Sequence, residues 1–142
     1  MVEIKMEYER LKNSVSQLAI EKKLPNGLMF EWGQTNSGRP MLALGNVAAV
    51  FEAPVVFNIL SQDNHIRIRF TRKFGSEQEN DGKSRLEEAF WNLKPLIPNG
   101  AFVWTVPDKN SKQYSTEALA EEIANQLVHY HVAYEGAYGR VA

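Results

Sequence analysis

From His65 to Lys73 the chain reads His-Ile-Arg-Ile-Arg-Phe-Thr-Arg-Lys. Ile66, Ile68 and Phe70 alternate with His65, Arg67, Arg69 and Thr71, and a period of two sends these two sets to opposite faces of a β-strand. One face is apolar and needs a core to cover. The other carries arginines, with no acid between residues 64 and 74. The segment therefore predicts a sheet buried on one side and leaves a cationic face on the other.

The layer that covers such a sheet is also written in the chain. Ile4, Tyr8, Leu11, Val15 and Leu18 recur at spacings of four and three, which predicts a helix over 4–22 with one apolar seam. Leu24-Pro25-Asn26-Gly27 ends it, because proline cannot continue a helix and Asn-Gly favours a turn. Ser115 or Thr116 caps a second long helix reaching about Glu135, whose seam is Leu119, Ile123, Leu127, Tyr130 and Tyr134. Ser84 with Glu87 has the form of a capping box, and Leu86, Phe90 and Leu93 follow at helical spacing, so a helix over about 85–94 is expected there too. Strands are expected at 28–33, at 40–52 with a bulge or break at Gly45-Asn46, at 55–60, at 65–73 and at 101–106. Residues 107–114 read as a loop, and Gly136 to Gly139 as a frayed tail. Ala43, Ala48 and Ala49 suit a sheet face that a helix approaches closely.

The expected architecture is a single α+β domain spanning residues 1–142. It has an antiparallel meander of four to five strands, covered mainly on one face by an N-terminal, a middle and a long C-terminal helix. A four-residue turn at Ser61–Asn64 would set Val55, Phe57 and Ile59 beside the isoleucines, and Val56 and Leu60 among the arginines.

Composition narrows the chemistry. The chain has no cysteine, which removes disulfides, thiol nucleophiles and cysteine-ligated zinc. Its formal net charge of −1 gives no bulk attraction to nucleic acid or anionic membrane, so only a local patch could supply one. The first residues lack the apolar run of a signal peptide, and no stretch approaches the roughly 18 apolar residues of a membrane span, so a cytoplasmic protein without a membrane partner is expected.

Catalytic motifs are weak. Gly82-Lys83-Ser84 resembles the end of a phosphate-binding loop, but Glu77 stands where its first glycine belongs, and Glu77, Glu79 and Asp81 would repel phosphates. His129 and His131, two apart on a helix, point about 200° apart around its axis and cannot share one ion. Glu3-Ile4-Lys5 has the spacing of a nuclease motif but lies on a helix. Glu31 and Glu52 stand on strands whose facing the sequence leaves open. No cofactor, metal or catalytic residue is assigned on this basis.

The functional expectation rests on the arginine strand. It is a non-catalytic, regulatory or adaptor-type protein that docks an acidic protein partner, or a second copy of itself as a homodimer. Arg67, Arg69, Arg72 and Lys73 would supply forked hydrogen bonds, with Val56 and Leu60 as the apolar centre. RNA or single-stranded DNA binding through the same strand is the alternative, weakened because no aromatic in that hairpin shares the arginine face. The third reading is an enzyme whose carboxylates or histidines meet only in three dimensions. Pairing of the arginines with Glu77, Glu79 and Asp81 is the structural counterpart to all three.

Overall fold

The computed structural model describes residues 4–54, 66–72, 89–96 and 101–138, with side chains to 133. In chain order these form α1 (Ile4–Glu21), β1 (Glu31–Gln34), β2 (Pro40–Leu44), β3 (Val47–Glu52), β4 (Ile66–Arg72), β5 (Ala89–Leu96), β6 (Val103–Val106), β7 (Lys112–Tyr114) and α2 (Thr116–Tyr138), with short 3-10 turns at Pro25–Gly27 and Pro107–Lys109. The strands make one sheet whose spatial order is the chain order, antiparallel throughout.

Cross-strand register divides the side chains into two sets. On one face Leu42, Ala49, Phe51, Ile68, Phe70, Trp91 and Leu93 are buried together with Tyr8, Leu11 and Val15 of α1 and Leu119, Ile123 and Leu127 of α2. Both helices therefore cover the same side, and they also touch each other. Each large apolar side chain that leaves water there contributes about 1.5–3 kcal/mol. Phe70 stands edge-on to Trp91 at 4.8 Å, so the central strand is tied to its neighbour through ring contacts as well as the ladder.

The α+β class, the meander and the one-sided helical cover agree with the sequence, and three details do not. The expected middle helix is absent from 89–96, which is strand β5. Trp91, Leu93 and Pro95 are buried while Asn92, Lys94 and Leu96 are exposed, a period of two that competes with the helical spacing of Leu86, Phe90 and Leu93. Pairing with β4 on one side and β6 on the other decides the contest, because the sheet supplies hydrogen bonds and burial that a short helix there would lack. Ser84 and Glu87 lie outside the described residues. The strand count rises to seven among the described residues, partly through β5 and partly because Lys112–Tyr114 folds back on β6 where a loop was expected. Finally, β4 has β3 and β5 as its neighbours, so neither edge is open to the expected partner at 55–60, which itself lies outside the described residues.

Gly45-Asn46 is a break rather than a bulge. Leu44 pairs with Val47 around this two-residue turn, with positive φ (60°) at Gly45 and not at Asn46, the pattern of a type II′ hairpin. A Cβ on Gly45 would lie 2.8 Å from the ring of His131, so the turn is pressed against α2. Of the three alanines expected near a helix, Ala49 is on the helical side. Ala43 and Ala48 face each other on the opposite side, where they and Val50 are buried.

A buried chain of hydrogen bonds closes the helical layer. The indole Nε1 of Trp104 donates to Thr116 Oγ1 at 3.0 Å, and Thr116 Oγ1 donates to Glu7 Oε2 at 2.6 Å. Arg10 donates to Glu7 Oε1 at 2.8 Å and also reaches Glu117. Ser115 is the cap of α2, its Oγ accepting from the Ala118 amide at 3.1 Å. The helix runs on to Tyr138, through Gly136 and Ala137, which were expected to fray.

Candidate site on the arginine face of the sheet

The two-residue turn at Gly45-Asn46 sets the β2–β3 register, and extending that register one pair beyond Met41–Val50 brings Arg39 across from Glu52. On the other side of β3, Glu52 is paired with Arg67 and Val50 with Arg69. One row across the sheet thus reads Arg39, Glu52, Arg67, Asn92, with Arg69 diagonal to Glu52. Residues opposite or diagonal on one face are near enough for long side chains to meet.

They do meet. Arg67 Nε donates to Glu52 Oε1 at 2.6 Å and Arg69 Nε to Glu52 Oε2 at 2.9 Å. Arg39 Nη1 lies 3.2 Å from Glu52 Oε2. The Glu52 side chain is only 11 % exposed, whereas those of Arg39, Arg67 and Arg69 are 49 %, 46 % and 24 % exposed. Burial alone would raise the Glu52 carboxyl. The hydrogen bonds from Arg67 and Arg69, with their charges, outweigh it and hold the group below the ordinary carboxylate range. Three guanidinium groups thus gather around one carboxylate.

Arg67 also lies on an aromatic ring, its Cζ 4.4 Å from the centre of Phe90 on β5. Its Nε is spent on Glu52, and among the described residues its two terminal nitrogens make no hydrogen bond. That end of the side chain carries parallel N–H donors in the fork that fits a carboxylate or phosphate.

The residues expected to form the surface separate as follows. Arg67 and Arg69 stand together on the face away from the helices. Arg72, paired with Val47, falls by parity on the helix-covered side. Lys73, Val56 and Leu60 lie outside the described residues, as do Glu77, Glu79, Asp81 and the Gly82-Lys83-Ser84 motif. Sequence reasoning passed over Arg39 and Phe90 and left the facing of Glu52 open. Counting outward from Gly45-Asn46 would have paired Arg39 with Glu52. Nothing local marked Phe90, because its strand looked helical.

Other candidate chemistries gain little. His129 is exposed and His131 buried, consistent with their opposed directions on α2. Among the described residues no group of three or more His, Asp or Glu side chains could hold a metal ion, and no helix is long and apolar enough to cross a membrane. A groove of about 670 Å³ runs between α1 and α2, but its charged groups engage one another, Arg10 with Glu117 and Lys22 with Glu121. No protein-family model matches this chain, and no curated protein or solved structure shows significant similarity to it.

Proposed function

We propose that this chain is a non-catalytic binding protein that docks an acidic segment of a partner protein on the sheet face bearing Arg39, Arg67 and Arg69. The observation that carries this reading is the double use of Glu52. One buried carboxylate takes the Nε of both Arg67 and Arg69, which fixes the guanidinium planes and, among the described residues, leaves the terminal donors of the half-exposed Arg67 without a hydrogen bond. Fixing them beforehand reduces the side-chain entropy that an incoming carboxylate must offset. The exposed Arg39 and Arg67 favour an anion, and the Phe90 ring beneath the Arg67 guanidinium gives the contact an apolar floor.

Binding of single-stranded nucleic acid is the second reading, favoured by the presence of Phe90 among the arginines. It is the weaker one because Arg67 already covers the ring on which a base would stack. Fluorescence anisotropy with a labelled oligoglutamate peptide and a labelled oligouridine separates the two. The expected outcome is binding of the peptide that weakens as salt is raised from about 50 to 300 mM and the Debye length shortens. Arg67→Glu should weaken it by about tenfold, roughly 1.4 kcal/mol, with the melting temperature little changed. Retention of oligouridine in preference to oligoglutamate would favour the second reading, and binding of neither would end both.

A further inference from the structure

Among the described residues, strand β1 has a neighbour on one side only. The Thr35 amide donates to the Arg39 carbonyl at 2.8 Å. Counting inward from this pair, the alternation of an antiparallel ladder makes Gly33–Met41 and Glu31–Ala43 the hydrogen-bonded pairs, and Trp32–Leu42 and Gln34–Pro40 the others. Pro40, in a pair that is not hydrogen-bonded, withholds no N–H from β1. The backbone N–H and C=O groups of Trp32 and Gln34 therefore point away from β2. Among the described residues nothing pairs with them, and Gly33 and Gln34 are exposed.

The space beside this edge is shaped. A pocket of about 420 Å³ lies between α1 and β1, bounded by Glu9, Lys12 and Asn13 on the helix and by Trp32 and Pro40 on the strands. Trp32 is half-buried and held edge-on to Phe51 at 5.5 Å. Lys12 is paired with Glu9 at 2.9 Å, so the charges on the α1 side of the pocket offset each other.

We propose that this edge accepts an extended peptide segment of a partner protein as an added strand. Outward donors and acceptors on residues two apart match the repeat of an extended chain, the basis of β-strand addition. Peptide residues opposite Trp32 and Gln34 turn toward the helices, and one of them enters the pocket against Trp32 and Pro40, where a bulky apolar side chain fits. The peptide residue opposite Thr35 turns to the other face, in the row of Arg39, Glu52 and Arg67, where a carboxylate fits. The backbone addition and the apolar anchor rest on the edge alone. The acidic position rests on the function proposed above.

Proline tests the edge without dismantling it. Gln34→Pro deletes an outward N–H and obstructs an incoming strand, at an edge position where proline is tolerated. Gln34→Ala keeps the backbone. The probe is a set of linear peptides selected from a phage-displayed library on the wild-type protein and titrated by anisotropy. Gln34→Ala should bind within about threefold of wild type and Gln34→Pro about tenfold or more weakly, both retaining the wild-type circular dichroism spectrum. Hydrogen exchange on the wild-type complex gives a readout independent of folding in the variant. The Trp32 and Gln34 amides should gain protection, and the Glu31 and Gly33 amides, already bonded to β2, should not. Arg39→Glu should remove a preference for acidic peptides while leaving strand addition in place, which separates this proposal from the one it partly rests on. Equal binding by Gln34→Pro, absence of protection at Trp32 and Gln34, or failure to select any peptide overturns it. So does sedimentation of the wild type as a dimer that Gln34→Pro converts to monomer, because the occupant would then be a second copy of this chain.

Discussion

Glu52 is nearly buried, and three arginines compensate it to different degrees. Arg69 is the least exposed of them, and among the described residues removing it leaves a nearly buried carboxylate oxygen with only the longer Arg39 contact. Arg69→Ala should therefore cost about 1–3 kcal/mol, read as a lower urea midpoint. Arg67→Ala should cost less, because that side chain is half in water and a surface pair contributes little. The Glu52 carboxyl also sets a pH dependence. Its folded-state pKa is depressed, so its contribution is present above the ordinary carboxyl value of about 4.3. It is lost as pH falls through the folded value, since the unfolded chain takes up the proton first. Glu52→Gln should flatten the acid limb of stability against pH relative to wild type. An unchanged acid limb would place the acid sensitivity on other carboxyls.

Among the elements, those legible in the sequence were the ones whose periodicity had no rival. Tyr8, Leu11 and Val15 allow only a helix, and Ile66, Ile68 and Phe70 only a strand, and both are found as expected. The segment around Phe90 satisfies both periods, so its state depends on what lies beside it, and β4 and β6 are not visible from within that segment. The candidate site was half legible for the same reason. Alternation revealed that Arg67 and Arg69 share a face, but their carboxylate partner comes from register, a property of strand pairs. The β2–β3 turn shows how tightly one pair is specified. Gly45 needs its positive φ and also the absence of a Cβ beside His131. Gly45→Ala should therefore destabilise the protein by about 1–3 kcal/mol, and His131→Ala in the same chain should recover part of that loss. No recovery in thermal melts of the double variant would mean that backbone strain alone is responsible.

For the molecule as a whole, the helical layer is fastened by contacts between residues far apart in sequence. Thr116 and Glu7 are 109 positions apart, and Trp104 joins them from β6. Thr116→Val would leave the Trp104 indole N–H without its acceptor and one oxygen of Glu7 without a donor, at a cost of about 2 kcal/mol. The measurement is chemical denaturation, with a lower midpoint expected at an unchanged slope. The sheet is organised the other way, each described strand bonded, among the described residues, only to those next to it in the chain. It can therefore zip together as the polypeptide leaves the ribosome, one hairpin after another. α1 precedes the sheet and α2 follows it, so the α1–α2 contact forms only after every described strand has emerged. The helical layer thus closes like a clasp, and a nascent chain halted before Thr116 would have every strand of the described sheet but not that closure.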